Sequence, residues 1–336
     1  MTRARARRID ALLCRLMAGL IGAATALSCA AADFDYQLAP ERIADGVYVL
    51  VGRTEDFSFD NGGNIVNTSF IVGDSGVTVI DTGSSKRYGE QLRAAIARIT
   101  PLPITLVINT HHHPDHFLGN QGFATAILAA TPTTTHGIET EGPAFLDNMY
   151  RLNGDWMLGT EVVVPGATLE PGRIDSGGRK LEILTFDGHT ASDLVVRDIR
   201  TGTLFASDLV FNGRAPTTPH ADIATWLEAL DRLQQIPFSH LVPGHGAIAT
   251  DTRPIEQTRR YLQWLSRTIA EGAEQGLDMT EMLEKPVPAE FAGLAVVDKE
   301  YRRSVVHLFP QAELAALRAA SARKAMASPT FEHIAK

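Results

Sequence analysis

Seven consecutive residues, Thr110-His111-His112-His113-Pro114-Asp115-His116, follow directly on the apolar segment Leu106-Val107-Ile108-Asn109. β-Branched residues make that segment a strand, and side chains along an extended chain alternate sides. His111 and His113 therefore point one way and His112 the other, so two imidazoles converge as metal ligands do. Pro114 suits a turn or the first position of a helix, which turns Asp115 and His116 to face a second ion. One short loop thus seeds two metal sites, and the rest of the chain must bring further ligands to the end of this strand.

Three later segments offer them, each beside an apolar, strand-like run. Gly188-His189-Thr190 precedes Leu194-Val195-Val196, Leu204-Phe205-Ala206-Ser207-Asp208 ends a strand on a carboxylate, and Leu241-Val242-Pro243-Gly244-His245-Gly246 sets a histidine in a glycine-flanked turn. Alone, such a histidine reads as a surface turn residue and such an aspartate as a cap. Their order after the first motif is what groups them.

The N-terminus constrains the ligand chemistry. Arg3, Arg5, Arg7 and Arg8 precede an apolar stretch from Ala11 to Leu27 and the small-residue run Ser28-Cys29-Ala30-Ala31-Ala32, the pattern of a secretory signal peptide. Arg7-Arg8 also permits a twin-arginine reading and Cys29 a lipidation reading; simple cleavage after Ala32 is the default. The stretch is interrupted by Arg15 and is short of the ~20 apolar residues of a membrane span, and no later segment reaches that length. A periplasmic or secreted protein starting near Asp33 is expected. Both cysteines, Cys14 and Cys29, fall in the removed segment, which leaves histidines and carboxylates to build any metal site. Loss of five Arg and one Asp also takes the net charge from −8 to −12, and so acidic a chain repels nucleic acid.

Strands are expected at Val47–Val51, Asn67–Val72, Val77–Asp81, Thr105–Asn109, Leu181–Leu184, Leu194–Val196 and Thr203–Ala206. Helices are expected at Tyr88–Ile99, Ala224–Gln234, Pro254–Gln275 and Gln311–Ala325. The two β-rich halves, divided near residue 160, read as packed sheets of one α/β domain over residues 33–250. Residues 251–336, with Trp264 and the helix-spaced Leu314 and Leu317, read as amphipathic helices covering that domain.

The order H-x-H-x-D-H, then His, Asp and His, resembles the pattern of the metallo-β-lactamase superfamily over Val47 to His245. The resemblance implies an αββα sandwich of two mixed β-sheets flanked by helices, here with a helical C-terminal extension. It also implies two zinc ions, one held by His111, His113 and His189, the other by Asp115, His116 and His245, with Asp208 bridging. Val77-Thr78-Val79-Ile80-Asp81-Thr82-Gly83 matches an earlier family element and makes Asp81 the residue that orients a ligand histidine. Imidazole and carboxylate ligands suit Zn²⁺, and the absence of Glu at the position of His113 separates this chain from the di-iron members. Asp60-Asn61-Gly62-Gly63-Asn64, residues 145–150 and residues 214–222 further resemble the quinoprotein relay system zinc metallohydrolases, which implies a link to a quinoprotein alcohol-oxidation system.

Two zinc ions acidify a shared water to a pKa of about 7 and polarise a carbonyl or phosphoryl oxygen, so the implied activity is hydrolysis of an ester, thioester, lactone or related bond in a small molecule. Asp115 is the catalytic candidate, orienting the water and passing its proton to the leaving group. Tyr150, Trp156-Met157, Arg214 and His220 are candidates for the substrate mouth, Arg214 for an anionic group and His220 as a proton donor. Asp208 stands where many zinc β-lactamases have Cys or Ser, which disfavours antibiotic hydrolysis. Two alternatives stay open: a β-lactamase, and a zinc-dependent accessory factor for quinoprotein maturation.

Overall fold

A computed structural model of the chain describes residues 34–327, and its elements all belong to the unit that starts at Tyr36. The expected signal peptide, residues 1–32 with both cysteines, lies outside the described residues. Strands β1 (Glu41–Ala44), β2 (Val47–Leu50), β3 (Thr68–Val72), β4 (Val77–Ile80), β5 (Ile104–Ile108), β6 (Ile127–Ala130) and β7 (Ala167–Thr168) form one sheet in sequence order. Pairing is antiparallel up to β4 and parallel from β4 to β7. The second sheet takes the order β12-β11-β10-β9-β8, from β8 (Gly172–Ser176), β9 (Arg179–Phe186), β10 (Asp193–Asp198), β11 (Thr203–Phe211) and β12 (His240–His245). Only β11 and β12 run parallel there. The two β-rich halves of the sequence are these two sheets.

Strand periodicity decides what each face buries. Ile71, Ile80 and Ile108 of the first sheet share a core with Leu181, Ile183, Leu194, Val196 and Val242 of the second, so the sheets pack face to face. Their neighbours Phe70, Val79 and Val107 point out the other side, onto Tyr88, Leu92 and Ile96 of helix α1 (Lys86–Ile99). That helix starts at Ser85, whose side chain accepts from Tyr88 N, and presents one buried face at helical spacing. The outer face of the second sheet, with Val195, Leu204 and Ala206, is covered by α4 (Ile223–Gln234), α5 (Arg253–Glu274), α6 (Met279–Glu284) and α7 (Val297–Ala327). The result is a four-layer αββα sandwich.

The final helix departs from expectation. It begins at Val297 rather than near Gln311 and runs through Pro310, although proline costs an interior helix about 3 kcal/mol. Tyr301, Val305 and Phe309, one helical turn apart and buried, hold the helix to the core up to the proline; beyond it Ala312 and Ala316 pack on the core, while Leu314 and Leu317, expected on the covering face, are exposed. The 22-residue helix α3 (Pro132–Asn153) has no counterpart in the expected elements, because Gly137, Gly142 and Pro143 lie inside it. Its glycines serve close packing: a Cβ on Gly137 would sit 2.7 Å from the His112 ring.

Parallel pairing sets the site. β4 and β5 end side by side, which brings Asp81 next to the 110–116 loop and its short helix α2 (Pro114–Phe117). The β11–β12 register slips on both sides of Ser207, whose φ of 47° is left-handed, and such bulges re-aim the next side chain, here Asp208. Trp226 of α4 backs this edge: it is fully buried, donates from Nε1 to Leu209 O at 3.0 Å and stacks edge-on at 4.9 Å from His189. Trp226→Ala is expected to cost roughly 3–5 kcal/mol in urea unfolding; a loss below about 1 kcal/mol, within the range of surface substitutions, would contradict this account of the backing layer.

Candidate metal centre

Seven side chains meet at the edge where the two sheets open: His111, His113, Asp115, His116, His189, Asp208 and His245, all buried. His111, His113, His189 and Asp208 offer ligand atoms within 4.8 Å of one another, as do Asp115, His116 and His245. Asp208 also reaches the second group. Its Oδ1 lies 3.2 Å from His116 Nε2, and its Oδ2 3.4 Å from His189 Nε2 and 3.3 Å from His245 Nε2. Ligands ~2.0–2.1 Å from a tetrahedral zinc lie about 3.3 Å apart, so these spacings fit metal ligands.

The hydrogen bonds that leave the cluster fix which nitrogen faces inward. His116 Nδ1 donates to Asp81 Oδ2 at 2.8 Å and His245 Nδ1 to Ile65 O at 2.7 Å, which leaves each Nε2 lone pair for the centre. His111 Nδ1 meets Thr110 Oγ1 at 3.1 Å, and its buried Nε2 has no hydrogen-bond partner. His113 reverses this pattern, turning Nδ1 to His189 Nε2 at 2.9 Å. Buried polar atoms without partners are rare because each costs about 1–3 kcal/mol. Here His111 Nε2, His116 Nε2 and Asp208 Oδ1 all lack a hydrogen bond, and their residues belong to the two ligand groups, as a cation's ligand shell requires.

Burial, then the neighbouring imidazoles, hold His111 and His113 well below their ordinary pKa. Burial brings His189 down to about 3 against the pull of Asp208. Those three rings are neutral, the form that binds metal. His116 moves the other way: burial opposes its charge, but Asp208, Asp81 and Asp115 outweigh it. Asp208 is held low by His245 and His116 despite its burial.

Asp81, the orienting residue expected from the sequence, and several residues not singled out there support the ligands. Asp81, itself at a left-handed φ of 59°, accepts from Thr110 N and Thr110 Oγ1, both at 2.8 Å, and Ser207 Oγ lies 2.7 Å from Thr110 Oγ1. Thr110 thus ties both sheets to one point. Strained backbone at Asp81 and Ser207 persists because such networks over-determine it. Asp193 accepts from His189 N at 3.1 Å and Thr190 N at 3.0 Å, and burial pushes it up to about 7 against those bonds. Asn67 donates to Pro243 O at 2.9 Å and Gly246 O at 2.8 Å, clasping the His245 turn. These partners lie far apart in sequence, and no local pattern announces them.

A cavity of about 170 Å³ opens onto the cluster, with His113, Asp115, Asp208 and His245 at its base. Phe57, Ile65, Phe145, Leu152 and Pro219 wall it. Of the candidate mouth residues, Arg214 and His220 line it and Tyr150, Trp156 and Met157 do not. Arg214 is buried against Glu300 Oε1 at 3.2 Å and Thr217 Oγ1 at 3.2 Å, so its charge is matched inside the protein. Tyr150 stands exposed on α3, Met157 is buried with Met149, and Trp156 packs on Tyr36. Arg303, from the final helix, lines the cavity without having been singled out.

Fold and site together define a four-layer α/β sandwich that carries a candidate metal centre at the edge of its two sheets. The family model of the metallo-β-lactamase superfamily matches residues 61–245, more than half of the chain. The chain belongs to that superfamily. It is 20% identical over 279 residues to a linear primary-alkylsulfatase of Pseudomonas sp., covering 69% of this chain but only 52% of that relative, about half its length. It is 26% identical over 239 residues to the bovine (Bos taurus) acyl-coenzyme A thioesterase MBLAC2, covering 62% of this chain and 80% of that protein. The solved metallo-β-lactamase from Pontibacter korlensis shares the fold, with a TM-score of 0.56, 24% identity, and coverage of 68% of this chain and 99% of its own.

Gly244 tests the geometry. A Cβ there would fall 1.8 Å from Asp208 Oδ1 and 2.8 Å from Asp208 N. Gly244→Ala is expected to weaken metal binding about 10–100-fold, the range seen when a ligand loses its support, in a competition titration against a chelator. Wild-type affinity in that variant would show that Asp208 does not sit where the ions bind.

Proposed function

We propose that the protein is an exported dinuclear zinc hydrolase that cleaves an ester, thioester or lactone in a small molecule with an apolar acyl or alkyl part. The observation that carries this is the position of Asp208, one carboxylate within 3.4 Å of three imidazole nitrogens from both ligand groups, at the base of an apolar-walled cavity. His111, His113 and His189 would hold one ion, Asp115, His116 and His245 the other, with Asp208 shared. A sulfur-free set of imidazoles and carboxylates favours zinc. Zinc supplies Lewis acidity, lowering a water's pKa to about 7 and polarising the substrate carbonyl.

The chain's own residues do the rest. Asp115 lines the cavity, with Oδ2 3.6 Å from His245 Nε2 and 3.8 Å from His116 Nε2. Its second oxygen is left to take the proton of the attacking water and return it to the leaving group. Phe57, Phe145 and Leu152 exclude water and grip an apolar chain, while Asp81 and Thr110 keep the histidines aimed. Two relatives support the substrate class: by name, one acts on primary alkyl sulfates and the other on acyl-coenzyme A thioesters. Asp208, where many zinc β-lactamases have Cys or Ser, weighs against β-lactams. Phe145, Asn148, Arg214, Thr217, Pro219 and His220 of the cavity wall come from segments that resemble the quinoprotein relay hydrolases, which supports a substrate drawn from a quinoprotein alcohol-oxidation system.

Purified protein is expected to carry about two zinc ions per chain and to turn over thioester, lactone or aryl ester substrates. Asp115→Asn should lower kcat about 10²–10⁴-fold, the usual worth of a general acid–base group. Zinc without turnover on any of these would favour the accessory-factor reading, and turnover unchanged in the variant would remove Asp115 from catalysis. Export predicts that protein from the periplasmic fraction begins near Asp33; an intact Met1 there would contradict cleavage.

A further inference from the structure

His113 has a polar partner on each edge of its ring. Nδ1 faces the ligand cluster, and Nε2 lies 2.9 Å from His220 Nδ1. His220 Nε2 lies 3.1 Å from Glu141 Oε2, and the other oxygen of Glu141 is 3.5 Å from His112 Nε2. We propose that Glu141 and His220 are positioning residues for the metal centre, a carboxylate–imidazole pair that orients His113 through its outward nitrogen. The inference rests on the dinuclear reading.

Proton bookkeeping carries it. A neutral imidazole that gives its Nδ1 lone pair to a cation holds its proton on Nε2. His113 then donates to His220 Nδ1, which must accept. The proton of neutral His220 is therefore on Nε2, where Glu141 accepts it. Each link dictates the next, and a carboxylate at the end of such a chain fixes ring orientation and raises ligand basicity. His112, the ring that strand alternation points away from the ligands, flanks the same carboxylate. It is seated against Gly137, one turn before Glu141 on α3.

The loop that carries His220 is pinned from α7. Arg214 meets Glu300 at 3.2 Å and Thr218 Oγ1 donates to Ser304 Oγ at 2.7 Å. His112, His113 and His220 have ligand atoms within 4.8 Å of one another, which by itself would suit a third cation. The proton on His113 Nε2, donated to His220 Nδ1, takes the lone pairs of both nitrogens from that cation whenever the main centre is loaded.

The test compares wild type with His220→Ala, His220→Asn and Glu141→Gln, measuring zinc affinity by chelator competition and the Tm of the metal-free protein. His220→Ala should bind zinc about 10–100-fold more weakly, as loss of an outer ligand partner does. Glu141→Gln should also weaken it. His220→Asn should recover most of the loss, because its Oδ1 can accept from His113 Nε2. Metal-free Tm should hold in all three, since these side chains are 31% and 44% exposed. Wild-type affinity in His220→Ala would overturn the relay, as would equal losses in the Ala and Asn variants with a lowered metal-free Tm. A third zinc in wild type that His220→Ala alone removes would replace the relay with a cation site. A wild type that binds no zinc would fail the dinuclear reading itself, whatever the variants do.

Discussion

The carboxylate of Asp208 is the interaction on which the centre depends. Buried and anionic, it stands among His116, His189 and His245 at 3.2–3.4 Å. A charge in that position is tolerated only where opposite charge meets it. The histidines come from the loop after β5, the turn before β10 and the end of β12, so satisfying one carboxylate draws both sheets together at a single edge. Because the ligands must be deprotonated and gathered before they bind, metal affinity and local folding are linked here.

The supporting structure can be followed outward from that point. Asp81 and Thr110 hold the rings from the first sheet. The slipped β11 register and the bare Gly244 make room for Asp208 from the second. Trp226 seals the outer side behind His189. Beyond the matched family region, α7 reaches back: Glu300 accepts from Arg214, Thr217 and Arg303. The C-terminal helices therefore do more than cover the sandwich, because they set the loop that forms one cavity wall.

Much of this was legible in the sequence where the pattern is local. Alternation along one strand separates His111 and His113 from His112, and a strand-end position singles out His245. Asp208, expected to end a strand, instead lies inside β11, where the slipped register re-aims it, and the structure brings all seven candidate ligands together. The two mixed sheets follow from the β-rich halves. Helix α3 was hidden because Gly137, Gly142 and Pro143 oppose helix on propensity, while their role is close packing on residues distant in the chain. Thr110, Asn67 and Glu141 were hidden for a related reason: their partners lie on other elements, and polar residues of these kinds are common at turns. Tyr150 and Trp156 are near the mouth in sequence only, since the helical turn of α3 carries one outward and the 3-10 turn after it packs the other on Tyr36.

Anomalous diffraction at the zinc edge from crystals of the zinc-loaded protein tests the central claim most directly. The account predicts two peaks about 3.5–4 Å apart, the separation of two-metal sites, with the Asp208 carboxylate between them and His113 bound through Nδ1. A single peak, or peaks away from Asp208, would contradict it.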